Sequence, residues 1–257
     1  MNDSILKTLT VSFAVCLFCS LIVSFAAVSL RDAQNLNKLN DQKMKILKTA
    51  AIYDPTELIE NQFTRLTPKF VDFSNGLLLD EFDGLDLETY DPVYFSKQAG
   101  FSTPIPADLD IAVVKNKEKL GKIYLLKDEN NELEKIILPI RGYGLWGTLF
   151  GYIAIDKDLN TIRGLEFYEH KETPGLGGEV DNPKWKALWN GKKIYKDGEI
   201  KITVIKGKVD LSNKMSDYQV DGLSGATLTS RGVTNMLAFW FSESGYREIL
   251  TKINYDS

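Results

Sequence analysis

The sequence is poor in the residues that most metal and thiol chemistry needs. Of 257 residues, two are cysteine and one is histidine. Both cysteines, Cys16 and Cys19, lie in an apolar N-terminal stretch. The rest of the chain therefore offers no thiol for a disulfide, a zinc site or an iron–sulfur cluster. The spacing Cys-Leu-Phe-Cys looks redox-like, but no βαβ pattern surrounds it, and the pair reads as two small membrane-facing side chains. The lone histidine, His170, rules out a multi-histidine metal site and reads as a polar loop residue rather than part of a Ser-His-Asp triad. Excess positive charge is missing too. A net charge of −4 and a pI near 5.3 argue against a nucleic-acid partner, which would call for clustered Lys and Arg. There is no internal repeat and no low-complexity tract.

What the chain does have is 44% hydrophobic and 26% charged residues, enough for one sizeable core with an appendage. The appendage comes first. Between Lys7 and Arg31 lie 23 residues without a formal charge, rich in Leu, Val, Phe, Ala and Ile. As a helix rising about 1.5 Å per residue they would span roughly 35 Å, sufficient to cross a bilayer. A cleaved signal peptide is the rival reading, since Ala27-Val28-Ser29 offers small residues, but its apolar part would run to only about 7–15 residues. An uncleaved anchor fits better. Val15 and Phe18 precede the two cysteines where a lipoprotein signal wants a small residue, which argues against lipidation. Only Lys7 lies ahead of the segment, while Arg31, Lys38, Lys43, Lys45 and Lys48 follow it, so charge alone points the domain toward the cytoplasm.

After the anchor, Leu36, Leu39, Met44, Ile46, Leu47 and Ala50 recur at partly helical spacing, predicting an amphipathic helix that continues from the membrane. Asp54-Pro55 breaks it, and Thr56 to Glu60 reads as a second helix start. Residues 67 to 108 are turn-rich and read only as a connecting region. From Asp110 short β-rich runs follow, at Ile111–Val114, Ile123–Leu126, Ile136–Ile140, Tyr152–Ile155 and Ile162–Tyr168. Helices are expected over Lys184–Leu188 and from Ser230 to about Ile253. The fold class is α+β, a mainly antiparallel sheet with packed helices, preceded by one N-terminal transmembrane helix.

Three segments carry candidate chemistry. Gly142-Tyr143-Gly144-Leu145-Trp146-Gly147 matches the dinucleotide pattern GxGxxG, but the residues that follow it read as a strand. A pyrophosphate site needs a helix opening there, so the segment reads as a glycine-rich link between strands that could approach a flat ligand closely. Glu169 to Gly178 joins Pro174 to three glycines in a shaped loop, where Thr173, the amides of Gly175 to Gly178 and the Leu176 side chain could serve a ring with polar edges and an apolar face. Taken alone, the loop reads better as a structural Ω-like turn. Asp221-Gly222-Leu223-Ser224-Gly225-Ala226-Thr227 precedes a long helical pattern. Gly225 and Ala226 would expose the Thr227 hydroxyl, and the helix N-terminus could hold a phosphate attached there, with Arg231 as a countercharge. A capping role for Thr227, Thr229 and Ser230 is the competing explanation.

Taken together, these segments and the N-terminal helix resemble the C subunits of sodium-translocating NADH:quinone oxidoreductases, within the FMN-binding domain family. The resemblance runs over most of the chain. DGLSGAT looks like the family's flavinylation motif, which places a covalent FMN phosphoester on Thr227, with Asp221, Ser224, Gly225 and Ala226 completing the motif. ETPGLG and GYGLWG resemble segments bordering the flavin, implying flavin contacts from Glu172, Thr173, Gly175, Leu176, Gly177, Gly144, Leu145 and Trp146. The resemblance further implies attachment by a flavin transferase that takes FMN from FAD, and five other subunits in a complex of the bacterial inner membrane. That complex oxidises NADH, reduces quinone and pumps sodium. This protein would relay electrons through FMN without binding NADH itself, with no metal. Its parts would be a short segment at 1–7, a single-pass transmembrane helix at 8–30, a helical stalk and connecting region at 31–109 and an FMN-binding domain at 110–257. Family members place that domain on the periplasmic side, and a long folded domain weakens the charge rule that points the other way. Alternatives are the G subunit of an Rnf-type ferredoxin:NAD oxidoreductase, a membrane-anchored flavin-binding module without electron transfer, and a nicotinamide dehydrogenase resting on GxGxxG.

Overall fold

The computed structural model describes residues 4–256, and residues 1–3 of the short N-terminal segment lie outside the described residues. Two compact units divide the chain, residues 1–42 and residues 43–257. Helix α1 (Ile5–Thr49) makes up the first unit as far as it is described, and its apolar stretch is long enough to cross a membrane. The large apolar side chains from Ile5 to Leu30 are exposed along it, as are Cys16 and Cys19. The anchor helix and the amphipathic helix expected after it are thus one helix, because nothing between Leu30 and Ala50 breaks helical propensity.

The second unit begins with the last turns of α1 and α2 (Ile59–Phe63). Strands β1 (Leu66–Asp72) and β2 (Leu77–Leu79), helix α3 (Pro92–Phe95), and the paired β3 (Ser102–Pro104) and β4 (Asn116–Glu118) come next. Then follow β5 (Leu120–Lys127), β6 (Leu133–Tyr143), β7 (Thr148–Asp156) and β8 (Ile162–Glu169). Helix α4 (Pro183–Ala187) leads to a two-stranded hairpin, β9 (Tyr195–Lys196) with β10 (Glu199–Ile200). A short parallel pair, β11 (Thr203–Val204) with β12 (Gln219–Val220), precedes α5 (Thr227–Trp240) and α6 (Arg247–Asp256). The main sheet has six strands in the order β2-β1-β5-β6-β7-β8, every pair antiparallel.

Both faces of this sheet are covered, which is why its central strands read as continuous apolar runs. Ile123, Ile136, Leu138, Ile153 and Ile155 point into the larger core with Trp189, Val233, Met236, Leu237 and Trp240. Their neighbours Tyr124, Leu126, Ile137, Tyr152 and Ala154 point the other way, onto Ile46, Leu47 and Ala50 at the end of α1. On the same side, the Glu166 carboxylate accepts from Lys186 Nζ at 2.6 Å and from Lys45 Nζ at 3.4 Å, tying the helix end to β8 and α4.

The architecture agrees with the expected α+β class and differs from the expected elements in three places. The sheet starts at Leu66, ahead of residue 110, because β1 pairs with β5 along its whole length inside the segment read only as a connection. Ile111–Val114 is no strand. The Asp110 carboxylate accepts from the amides of Val114 and Lys115, both at 2.7 Å, and Val113 takes a φ of 56°, so the segment closes into a turn. The helix expected from Ser230 to about Ile253 is two helices, broken so that Tyr246 can fold back and stack on Trp240, with ring centroids 5.2 Å apart. Gly245 permits the break, since any Cβ there would strike the Trp240 carbonyl.

Gly164 on β8 is fitted in the same way against the last turn of α1, where a Cβ would run into the Thr49 carbonyl. Gly164→Ala should therefore lift the helix end from the sheet and destabilise the second unit by about 1–3 kcal/mol. Urea unfolding of the detergent-solubilised chain measures this, and an unchanged midpoint would show that the contact carries no stability.

Candidate functional site

The glycine-rich segment 142–147 is the tip of the β6–β7 hairpin, closed by the Gly144 amide donating to the Gly147 carbonyl at 2.8 Å. Strand β7 follows at Thr148, so no helix opens from the segment and the nicotinamide reading fails. All three glycines of the pattern are explained by packing. A Cβ on Gly142 would come within 2.7 Å of Met236 Cβ, one on Gly144 within 2.6 Å of Glu172 Oε1, and one on Gly147 within 3.0 Å of Lys171 Cβ. Tyr143, Leu145 and Trp146 point outward, the indole 62% exposed.

The loop after β8 is held by its own polar groups. His170 Nδ1 accepts from the Glu172 amide at 3.2 Å, which leaves Nε2 to carry the proton and donate to Asp181 at 2.9 Å. Amides of Leu176 and Gly178 both donate to the Thr173 carbonyl, at 3.1 and 2.8 Å. With Pro174 fixing one φ and Gly175 at a φ of 75°, Thr173 to Gly178 is a rigid bend that presents Leu176, 45% exposed, on its outside.

Glu172 faces inward instead and is 5% exposed. Its Oε1 accepts from the amides of Leu145 and Trp146 at 3.0 and 2.9 Å, and its Oε2 accepts from the Thr229 hydroxyl at 2.5 Å. A single carboxylate thus joins the hairpin tip, the loop and α5.

The segment Asp221–Thr227 is anchored at both ends. Asp221 Oδ1 accepts from the Val209 amide and its carbonyl accepts from Trp185 Nε1, both at 2.8 Å. The Gly222 amide donates to the Gly207 carbonyl at 2.8 Å, and the Leu223 amide to Ser230 Oγ at 3.1 Å. Ser224 and Gly225 bulge outward, Gly225 at a φ of 71° with Leu176 Cδ2 within 2.9 Å of where its Cβ would lie. Buried Ala226 is the N-cap of α5 and supplies no side-chain hydrogen bond. Thr227 is the first helical residue and is exposed, as is Leu228. The capping account fails for Thr229 and Ser230, whose hydroxyls are committed to Glu172 and Leu223.

The structure therefore gathers Gly144, Glu172, Gly177, Gly225, Leu176 and the start of α5 in one place, with Leu145, Trp146 and Thr173 at its edge. Asp221 lies apart, behind the segment, hydrogen-bonded to Val209 and to Trp185 of α4. Thr229, read from the sequence only as a possible cap, also shapes the site, as do Gly232 and Met236, to which sequence reasoning assigned no part in it. A Cβ on Gly232 would strike the Tyr143 carbonyl, so the helix and the hairpin meet backbone to backbone. A polar Thr229 and a glycine on the buried face of a helix were the signals available.

A model of the FMN-binding domain matches residues 144–242, from the hairpin tip to just past the end of α5. The C subunit of the Na(+)-translocating NADH-quinone reductase of Pseudomonas aeruginosa is 44% identical, with 98% of this chain and 97% of that protein covered. Its counterpart from Vibrio anguillarum is 40% identical over 98% of this chain and 96% of its own length. The chain belongs to the family of C subunits of the Na(+)-translocating NADH-quinone reductase. Solved structures agree. NqrC from Shewanella oneidensis superimposes with a TM-score of 0.77 at 28% identity, covering 86% of this chain and 99% of that one. The C subunit from Parabacteroides distasonis gives 0.63 at 30% identity, covering 86% and 97%. Membership of this family favours the sodium-pump circuit over the Rnf-type alternative.

Within this family site, Ser230 Oγ is the only partner of the buried Leu223 amide among the described residues. Ser230→Ala should cost about 1–3 kcal/mol by leaving that donor unsatisfied. Amide exchange at Leu223 should accelerate, and exchange as slow as in the parent chain would show that the hydroxyl does not hold the segment.

Proposed function

We propose that this chain is the membrane-anchored electron-relay subunit of a sodium-pumping NADH:quinone reductase, carrying FMN as a phosphoester on Thr227. One observation carries the reading. Thr227 stands exposed at the start of a 14-residue helix whose N-cap offers no side-chain hydrogen bond. An anion fixed at that position would meet free first-turn amides and the positive end of the helix dipole. The surroundings suit the rest of the cofactor, because Tyr143, Leu145, Trp146, Leu176 and Leu228 present apolar surface beside it.

In the attachment step, Thr227 Oγ forms a bond to the FMN phosphorus of FAD. The diphosphate bond breaks, AMP leaves, and the hydroxyl proton passes to a base on the flavin transferase. Gly225 and Ala226 let the hydroxyl stand clear for that enzyme, and Asp221 fixes the segment from behind through Val209. Bound FMN supplies the one- and two-electron chemistry that side chains lack. The chain's own part is to position it: Leu176 and Trp146 limit water at the ring, Thr173 and the amides of Gly175 and Gly177 offer polar edges, and Glu172 keeps the walls together.

Residues 8–30 form the single membrane crossing, with the FMN-carrying part, 110–257 completed by β1 and β2, on the periplasmic side. Five further subunits complete the complex and hold the NADH site, the quinone site and the sodium path.

Thr227→Ala, co-expressed with the transferase, should abolish covalent flavin. Intact and peptide mass spectrometry reads this as loss of the FMN-less-water increment from the peptide containing Thr227. Covalent FMN that persists on another residue would overturn the acceptor assignment.

A further inference from the structure

We infer that Glu172 is a positioning residue whose buried charge sets the reduction potential of the flavin, rather than a ligand that touches it. The inference rests on the FMN reading above. Both carboxylate oxygens are already occupied by three donors, the Leu145 and Trp146 amides and the Thr229 hydroxyl, and the side chain is 5% exposed. Those donors fill three of the roughly four acceptor positions of the carboxylate, and with the side chain 5% exposed little surface is left through which a ring edge could reach the fourth.

The adjoining glycines support the same account. A Cβ on Gly144 would lie 2.6 Å from Oε1, and one on Gly177 would lie 2.6 Å from Oε2 and 2.5 Å from Thr229 Oγ1. Two glycines from separate segments that resemble flavin-bordering motifs thus leave room for a carboxylate. The space they vacate is already filled by protein, not left open to a cofactor.

The carboxylate bonds directly to the backbone of Leu145 and Trp146, whose side chains wall the proposed ring site. A fixed negative charge behind that wall disfavours adding electrons in front of it, and its reach is long in a buried setting. Thr229 moderates this by donating to Oε2. The two residues therefore have opposite electrostatic effects while sharing one packing role.

That opposition gives the test. In the full complex, Glu172→Gln should raise the midpoint potential of the Thr227-linked FMN, because it removes a negative charge. Thr229→Val should lower it, because it strips a donor from that charge. Shifts of the same sign, or no shift in either variant, would overturn the inference, since loosened packing has no reason to change direction. Should Glu172→Gln fail to fold, Thr229→Val decides alone: a downward shift supports the inference and a null or upward one overturns it. In the unflavinylated full-length chain, Glu172→Gln, where it folds, should also speed amide exchange at Leu145 and Trp146, and unchanged exchange overturns the positioning role. Mass spectrometry of the parent chain comes first. A missing adduct sinks the FMN reading, whereas an adduct with unmoved potentials sinks only this inference.

Discussion

Where α5 meets the end of β6, two backbones come together with no side chain between them, Gly232 on the helix against Tyr143 and Gly144 at the hairpin tip. Met236 fills the space beside Gly142, and Gly232 rests on the Tyr143 carbonyl. Farther along, Trp240 Nε1 donates to the Arg141 carbonyl at 2.7 Å, and the Arg141 guanidinium lies 5.3 Å from the Trp240 ring centroid. Arg141 is itself held by a buried bidentate pair with Glu118, at 3.0 and 2.5 Å. This contact fixes the start of α5 beside the hairpin tip. The site follows from it: Thr229 can reach Glu172, and Thr227, two residues earlier, comes out at the surface.

The sheet can hold that position because it is buried on both faces. The helical side carries the large core, and the end of α1 covers the other with Ile46, Leu47 and Ala50. A strand with one wet face would show alternating polar residues, whereas β5, β6 and β7 do not. The same burial explains what could be read from the sequence. Strands at 123–126, 136–140, 152–155 and 162–168 announced themselves as apolar runs. Leu66–Asp72 did not, because Thr67, Pro68 and Lys69 dilute its pattern, and only pairing with β5 makes it a strand.

Local chemistry settled the other differences. At 111–114 the apolar pattern of Ile-Ala-Val-Val suggested a strand, but the Asp110 side chain captured two amides and won. The long C-terminal helix was over-extended because helical spacing continues past Trp240, while the gain from stacking Tyr246 on Trp240 is invisible in one dimension. The site itself was legible as three glycine-bearing segments. Their convergence on one carboxylate was not, since Glu172 and Thr229 are 57 positions apart. From the sequence the hairpin-tip glycines could serve either a turn or close approach to a ligand; in the fold the Cβ positions of Gly142, Gly144, Gly147 and Gly177 are taken up by protein neighbours, while Gly175 stands in open space.

The openness of the site bears on why a covalent attachment would suit it. Trp146, Leu176 and Leu228 are 62%, 45% and 50% exposed, so the apolar surface around Thr227 is a rim rather than an enclosed cavity. Cavities of about 330 and 380 Å³ lie elsewhere, the first lined by Leu85, Tyr90 and Phe95 and the second by Lys135, Asp156 and Arg163. A shallow rim buries little of a ligand and holds it weakly. A tether removes that weakness, because it turns each rebinding into an intramolecular event at high effective concentration. The rim can then stay open toward a neighbouring redox centre. A relay needs a cofactor that is accessible and yet never lost, and an exposed threonine at the start of a rigidly seated helix meets both demands.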